Sequence, residues 1–215
     1  MKRLIKRIPI VNELAYYVHR YVKHKQGTNR IKKLIKVSPL RLVIGASGFY
    51  DRGWIDTDVG YLNLLNSKHW ATHFHRNSID AILAEHVWEH LTFDEGLEAA
   101  KRCFEYLRPG GYLRVAVPDG FHPNQDYIEY VKPGGSGSGA GGHKVLYNHR
   151  TFTEVFEKAG FRVVRLEYFD SEGEFHYADW NPQEGKIHRS RRFDERNKDG
   201  RLNYTSLILD ACKDG

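Results

Sequence analysis

Apolar residues change their spacing along this chain, and the change divides it in two. Ile10, Leu14, Val18, Tyr21 and Val22 recur every three or four positions behind Pro9. Side chains three and four apart share a helical face and proline suits a first turn, so the spacing predicts an amphipathic helix over 9–25. Gly27, Thr28 and Asn29 predict its end, and Ile31, Leu34, Ile35 and Val37 among Lys32, Lys33 and Lys36 predict a second short basic segment. From Arg41 onward compact apolar runs take over, at 42–45, 54–58, 79–85, 112–117, 161–169 and 204–211, each reading as a strand. Leu97, Ala100, Phe104 and Leu107 share one face of a helix over 94–107. Thr92 and Glu95 open it at capping-box spacing, and Pro109, Gly110 and Gly111 stop it. Thr151 and Glu154 repeat the box before Phe152, Val155, Phe156 and Ala159, with Gly160 as the stop. Strands alternating with helices predict an α/β fold, a mostly parallel sheet covered on both faces, over 41–215, preceded by a helical arm over 1–40.

The 215 residues suffice for one domain and an appendage, which excludes a large two-domain enzyme. No run of about 18 uncharged apolar residues exists to span a bilayer, and charges interrupt the first residues too soon for a signal peptide, so a cytoplasmic location is expected. Cys103 and Cys212 have no CxxC spacing and read as buried thiols. The net charge of +6 is unevenly placed: residues 1–41 hold twelve Lys or Arg and one acid. A basic arm on a mildly acidic body argues against a nucleic-acid binder and predicts either a helix packed on the domain with a solvated charged face or an arm that docks on an anionic membrane surface or other polyanion. The run over 134–142, GGSGSGAGG, has linker composition, yet neither flank alone could build a core, so it reads as a mobile lid or a tolerated surface loop.

In an open parallel sheet ligands bind beyond the carboxyl ends of the strands, where glycine admits close backbone approach and an acid after the second strand binds a ribose diol. Gly45 and Asp58, or Asp56, stand where that scheme needs them. GASG over 45–48 is not GxGxxG, Asp58 follows Gly45 by 13 residues, and residues 46–53 are too few for a crossover helix, which argues against NAD or a nucleoside triphosphate.

The runs LRLVIGAS, GWIDTD, SIDAILAEHVWEHL and YLRPGGYLRVAVPD together resemble class I methyltransferases that use S-adenosylmethionine, in particular a small bacterial subgroup of predicted methyltransferases with a shortened first crossover. The resemblance spans about residues 40–212 and implies a Rossmann-like, seven-stranded sheet whose last strand is antiparallel. It puts the cofactor's methionine portion at Gly45, Ala46 and Ser47, its ribose at Asp58, and its reactive end and the incoming nucleophile beside Glu85 and His86. The sequence departs from the commonest pattern at Ala46 and Ser47, where a second glycine is usual.

His86, Glu89 and His90 also spell HxxEH, which on a helix is an inverted zinc-hydrolase arrangement needing a third ligand such as His122, His143 or His149. The methyltransferase pattern accounts for the same residues in register with their strands, so no metal is expected. Methyl transfer to a hydroxyl or amine needs proton removal, for which His86, His122, His143 and His176 are candidates. The segment 174–193 carries Tyr177 and Trp180 beside Asp179 and Asn181, a composition of carbohydrate sites, with Arg189, Arg191 and Arg192 able to hold an anion. The expected activity is methylation of a small polar metabolite, a cell-surface glycan or its precursor. A methyltransferase-fold binding module without turnover is the alternative, a metal-dependent hydrolase the third.

Overall fold

A strand buried on both faces must be apolar at every position, and its alternate residues must meet two different partners. The computed structural model, which describes residues 22, 25–29, 31, 32, 35, 36, 38–46 and 52–215, shows how this chain meets that demand. The seven strands are β1 (Arg41–Ile44), β2 (Ile55–Asp56), β3 (Ile79–Glu85), β4 (Leu107–Pro118), β5 (Arg162–Phe169), β6 (Phe175–Tyr177) and β7 (Ser206–Cys212). They lie in the order β2-β1-β3-β4-β7-β5-β6. β1 is parallel to β2 and β3, and β3 to β4, while β7 enters antiparallel between β4 and β5. This is the Rossmann-like, mostly parallel sheet with a reversed last strand. The short edge strand β6, antiparallel to β5, carries no apolar run and was invisible to periodicity.

Leu42, Ile44, Ile82, Ala84, Val115, Val117, Leu207 and Leu209 face one way into a large core. That core is closed by Trp70 of α1 (Ser67–His73), Ala99 and Ala100 of α2 (Phe93–Tyr106), and Phe152 and Phe156 of α4 (His149–Lys158). The intervening Val43, Ala81, Leu83, Ala116 and Ile208 face the other way. Among the described residues that second face is covered by an irregular segment between β6 and β7, through Trp180 and Ile187, not by helices. Three charged side chains fix it there. Arg114 of β4, 2% exposed, pairs in two 2.7 Å bonds with Asp210 directly across the ladder and donates to the carbonyls of Asn181 and Gly185. Glu167 accepts from the Trp180 indole and the Arg191 amide, and burial holds its carboxyl above the ordinary range.

Several element ends differ from the periodicity. α2 begins at the expected Thr92–Glu95 box, but its buried stripe is Gly96, Ala99, Ala100 and Cys103, small residues that bring it close to the sheet, followed by Tyr106 at its end. α4 starts one turn early because Asn148, not Thr151, is the cap, with its side chain accepting from the Arg150 and Thr151 amides. α1 and α3 (Gln125–Val131) open on asparagine caps, Asn66 and Asn124, that apolar spacing does not reveal. Most of the expected helix over 9–25 lies outside the described residues. Gly27, Thr28 and Asn29 do not end a helix: residues 25–29 are helical. Gly27 is there because a Cβ would sit 2.4 Å from the Tyr61 ring. Ile31 is fully buried in the main core, so the arm's last part belongs to the domain.

The glycine-rich run is folded. Six of its nine amides, from Gly134 to Gly142, donate to backbone carbonyls within the run or at the end of α3. A Cβ at Gly137 would lie 2.5 Å from the Tyr130 carbonyl, so close packing on the helix end, not flexibility, demands glycine.

Candidate active site

β1 is flanked by β2 and β3, and the crevice beyond its carboxyl end is where such a sheet leaves room for a ligand. β1 ends in Gly45, whose φ of +65° is costly for any residue with a Cβ, and the turn is closed by the Ala46 amide donating to Thr57 and the Thr57 amide to Val43. β3 ends in Glu85, after which His86 also takes a left-handed backbone, φ +56°. Such conformations outside glycine concentrate at functional sites. A cavity of about 640 Å3 opens here, within the size range of small-molecule sites. Gly45, Ala46, Leu83, Glu85 and His86 form its floor, and its walls include Tyr130, His143, Lys186, Arg189 and Tyr204.

His86 is held from both sides, its Nε2 hydrogen-bonded to the Ser206 hydroxyl at 2.9 Å and its Nδ1 3.0 Å from Glu89 Oε1. Glu89 is 1% exposed. Glu85 is not turned to solvent: it accepts from the His188 and Arg189 amides and the His188 ring, clamping the irregular segment to the strand end. Burial alone would raise its carboxyl, but these bonds outweigh it and hold the pKa below the ordinary value. His143 lines the cavity, its Nδ1 donating to the Val131 carbonyl at 2.7 Å.

The structure therefore brings together Gly45, Ala46, Glu85, His86 and His143, and sets the other candidates elsewhere. His122 is buried, stacked on Tyr127 at 4.0 Å, with one ring nitrogen on the Leu202 carbonyl and the other on the Asn124 amide, and burial lowers its pKa. His176 stands on β6, 2.6 Å from Asp170. Asp58 is half-buried beyond β2, near the Gly60 amide, and is not among the described residues that line the cavity. Ser47 lies outside the described residues. Trp180 is no exposed platform, being buried between Arg114 and Arg192, and Tyr177 is exposed under Arg191. HxxEH does not form its helical arrangement either. His86 follows the end of β3 and only residues 88–90 make a single 3-10 turn, so His86 and His90 do not share a helical face.

Tyr204 and Ser206 escaped the sequence reading, although a signal exists. A reversed last strand brings its first residues, not its last, to the carboxyl edge of its neighbours.

A family model described as a methyltransferase domain matches residues 27–166. No functionally curated protein matches the sequence. Among solved structures, a SAM-dependent methyltransferase from Archaeoglobus fulgidus is 16% identical over 90% of this chain and 94% of its own, with a TM-score of 0.46. A possible histamine N-methyltransferase from Thermotoga maritima is 14% identical over 95% and 96%, with a TM-score of 0.49. A phosphoethanolamine N-methyltransferase from Haemonchus contortus, in complex with S-adenosyl-L-methionine, is 14% identical over 89% and 53%, with a TM-score of 0.43.

Proposed function

The chain belongs to the methyltransferase domain family, whose methyl donor is S-adenosylmethionine, and we propose that its acceptor is a hydroxyl, amine or carboxylate of a polar metabolite, a cell-surface glycan or its precursor above all. The donor suits the crevice: the bare backbone of Gly45 and Ala46 borders a cavity of adequate size, with Val43 and Leu83 as apolar lining. Gly45, Ala46 and Ser47 would hold its methionine portion and Asp58 its ribose. When bound, it supplies a methyl group already activated for displacement, so the protein's task is to align the acceptor and take a proton.

His86 is the residue for that proton. Its Nε2 faces Ser206 and the cavity, and a charge gained there is balanced by the buried Glu89 carboxylate 3.0 Å from Nδ1. Tyr130, an exposed ring, shares the cavity lining with Lys186 and Arg189, a wall suited to a sugar or another polar molecule carrying negative charge. The basic arm suits an anionic membrane, where a lipid-linked precursor would be presented.

The observation that carries this reading is His86 itself, held in a left-handed backbone at the strand end with a buried carboxylate at its back. The test is formation of S-adenosylhomocysteine with a panel of sugar phosphates, uronic acids and lipid-linked saccharides. His86→Asn, which tolerates the same backbone, should lower kcat by about 100-fold or more while leaving donor affinity within about threefold. Unchanged turnover in this variant would remove His86 from the chemistry.

A further inference from the structure

We propose that Glu89, His90 and His143 form a binding site for one divalent first-row transition-metal ion, with an open coordination position facing the cavity. The site differs from the HxxEH set, since His86 is engaged with Ser206 and the third donor comes from a loop 53 residues beyond His90. One donor atom from each of the three side chains lies within 4.8 Å of the others. Ligands about 2.0–2.2 Å from a shared ion stand roughly 3–4 Å apart, and His143 Nε2 is already 3.9 Å from Glu89 Oε1.

Both imidazoles are prepared for coordination. His90 Nδ1 lies 3.0 Å from the Gly142 carbonyl and His143 Nδ1 2.7 Å from the Val131 carbonyl. A carbonyl only accepts, so each Nδ1 carries a proton and Nε2 is the nitrogen left to coordinate, the usual outer support of metal-bound histidine. The rings meet edge to face with centroids 4.8 Å apart.

An independent observation comes from Glu89. Its carboxylate is 1% exposed, and neither oxygen accepts a hydrogen bond; His86 Nδ1 is near but lacks hydrogen-bond alignment. A buried carboxylate left in that state is costly, and a cation is what it lacks. The backbone is arranged to the same end. The Lys144 and Val145 amides both donate to the Glu89 carbonyl, which brings His143 alongside, and Gly142 has no Cβ to press on His90 Nδ1, which would be 3.1 Å away. Two imidazoles and one carboxylate favour zinc or a neighbouring first-row ion over magnesium or calcium, and three protein ligands leave room for water or an acceptor oxygen. All three residues line the cavity.

The experiment uses the full chain, stripped with chelator and titrated with zinc by calorimetry and with cobalt by visible absorption, without methyl donor or acceptor. One equivalent should bind per chain, and cobalt should give d–d bands. His90→Ala, at an exposed position, and His143→Ala should each weaken zinc binding by at least about 30-fold with an unchanged circular dichroism spectrum, and Glu89→Gln should do likewise. His176→Ala, in the second acidic cluster with Asp170 and Glu174, should leave binding unchanged. Zinc affinity equal in parent and His90→Ala, less than one equivalent in the parent, or loss of binding on His176→Ala would each overturn the site. Because methyl transfer is not the readout, a negative result here leaves the methyltransferase reading standing.

Discussion

Arg114 places a charge inside the sheet, and its worth depends on what remains when its partner goes. Bidentate pairing with Asp210 and two carbonyl bonds satisfy the guanidinium. Asp210→Asn leaves that charge buried without its counter-ion and should cost about 3–5 kcal/mol in urea unfolding. Glu154→Gln, breaking an exposed pair with Lys158, should cost below about 0.5 kcal/mol. Equal effects would mean that solvent already screens Arg114. Asp119 has the opposite character. Burial pushes its carboxyl up to about 6, against the bonds it accepts from the Phe169 and Phe121 amides. A folded pKa above the unfolded one means the native state binds more protons between about pH 4 and 6, so this group's contribution to stability falls as pH rises through that window. His122 and His149, lowered by burial, act the other way: the unfolded state binds their protons first, so stability is lost as pH falls below about 6.5. The two slopes have opposite signs. Asp119→Asn removes one of them, so its unfolding free energy from urea titration should gain on the parent between pH 4 and 7, by up to about 3 kcal/mol; a constant gap would show that Asp119 titrates alike in both states. At the cavity, Asp58→Ala should weaken S-adenosylmethionine binding by about 2–3 kcal/mol if its carboxylate accepts from the ribose. Calorimetry showing an unchanged Kd would move that role to Asp56 or away from β2.

The elements were legible where burial imposes a simple rule. The runs at 42–45, 79–85 and 204–211 mark strands because both sheet faces are covered there, 161–169 marks one although Arg162, Val164 and Arg165 stay exposed, and the Thr92–Glu95 box opens α2. Thr151 reads as the cap in place of Asn148 because asparagine caps as well as threonine and the apolar pattern behind them fits either start. The glycine run was misread more deeply. Composition reports conformational freedom, whereas these glycines answer to carbonyls at the end of α3, contacts that no local pattern contains. The meeting of Glu89 with His143 has the same origin: it is a product of that fold-back and has no spacing of its own. Gly45 and His86 could be found because strand ends locate the site in this fold class, while Asp58 could be named but not placed against the cavity. The folded run yields an element-scale prediction. Deleting 136–139 removes the amides by which Ser136 and Gly137 hold the helix end and releases His143 from Glu89. Turnover should fall by at least about tenfold with S-adenosylmethionine affinity within about threefold. Normal turnover would make the run a passive connection.

Across the whole molecule, charge and burial divide at different points, and the difference decides how the arm must be tested. Residues 1–41 hold twelve basic side chains against one acid, and 42–215 hold 21 against 26. Charge alone would cut the chain near residue 40. Burial moves the cut back, because Ile31 sits in the main core and Gly27 packs under Tyr61. Removing 1–36 would therefore damage the domain and confound any binding result, whereas removing 1–21 takes five basic residues and the stripe Ile10, Leu14, Val18 and Tyr21 and keeps Gly27 and Ile31. Each basic residue near an anionic bilayer is worth about 1 kcal/mol, and apolar burial adds to it. The full chain should co-sediment with vesicles containing phosphatidylserine, and the truncated chain should bind at least about tenfold more weakly with an unchanged melting temperature. Raising salt shrinks the reach of charge from about 10 Å at 0.1 M to about 3 Å at 1 M, so binding should fall with salt to the part that apolar contact supplies. Equal binding of both chains, or binding indifferent to salt and to lipid charge, would reduce the arm to a solvated extension and remove the membrane from the reaction's setting.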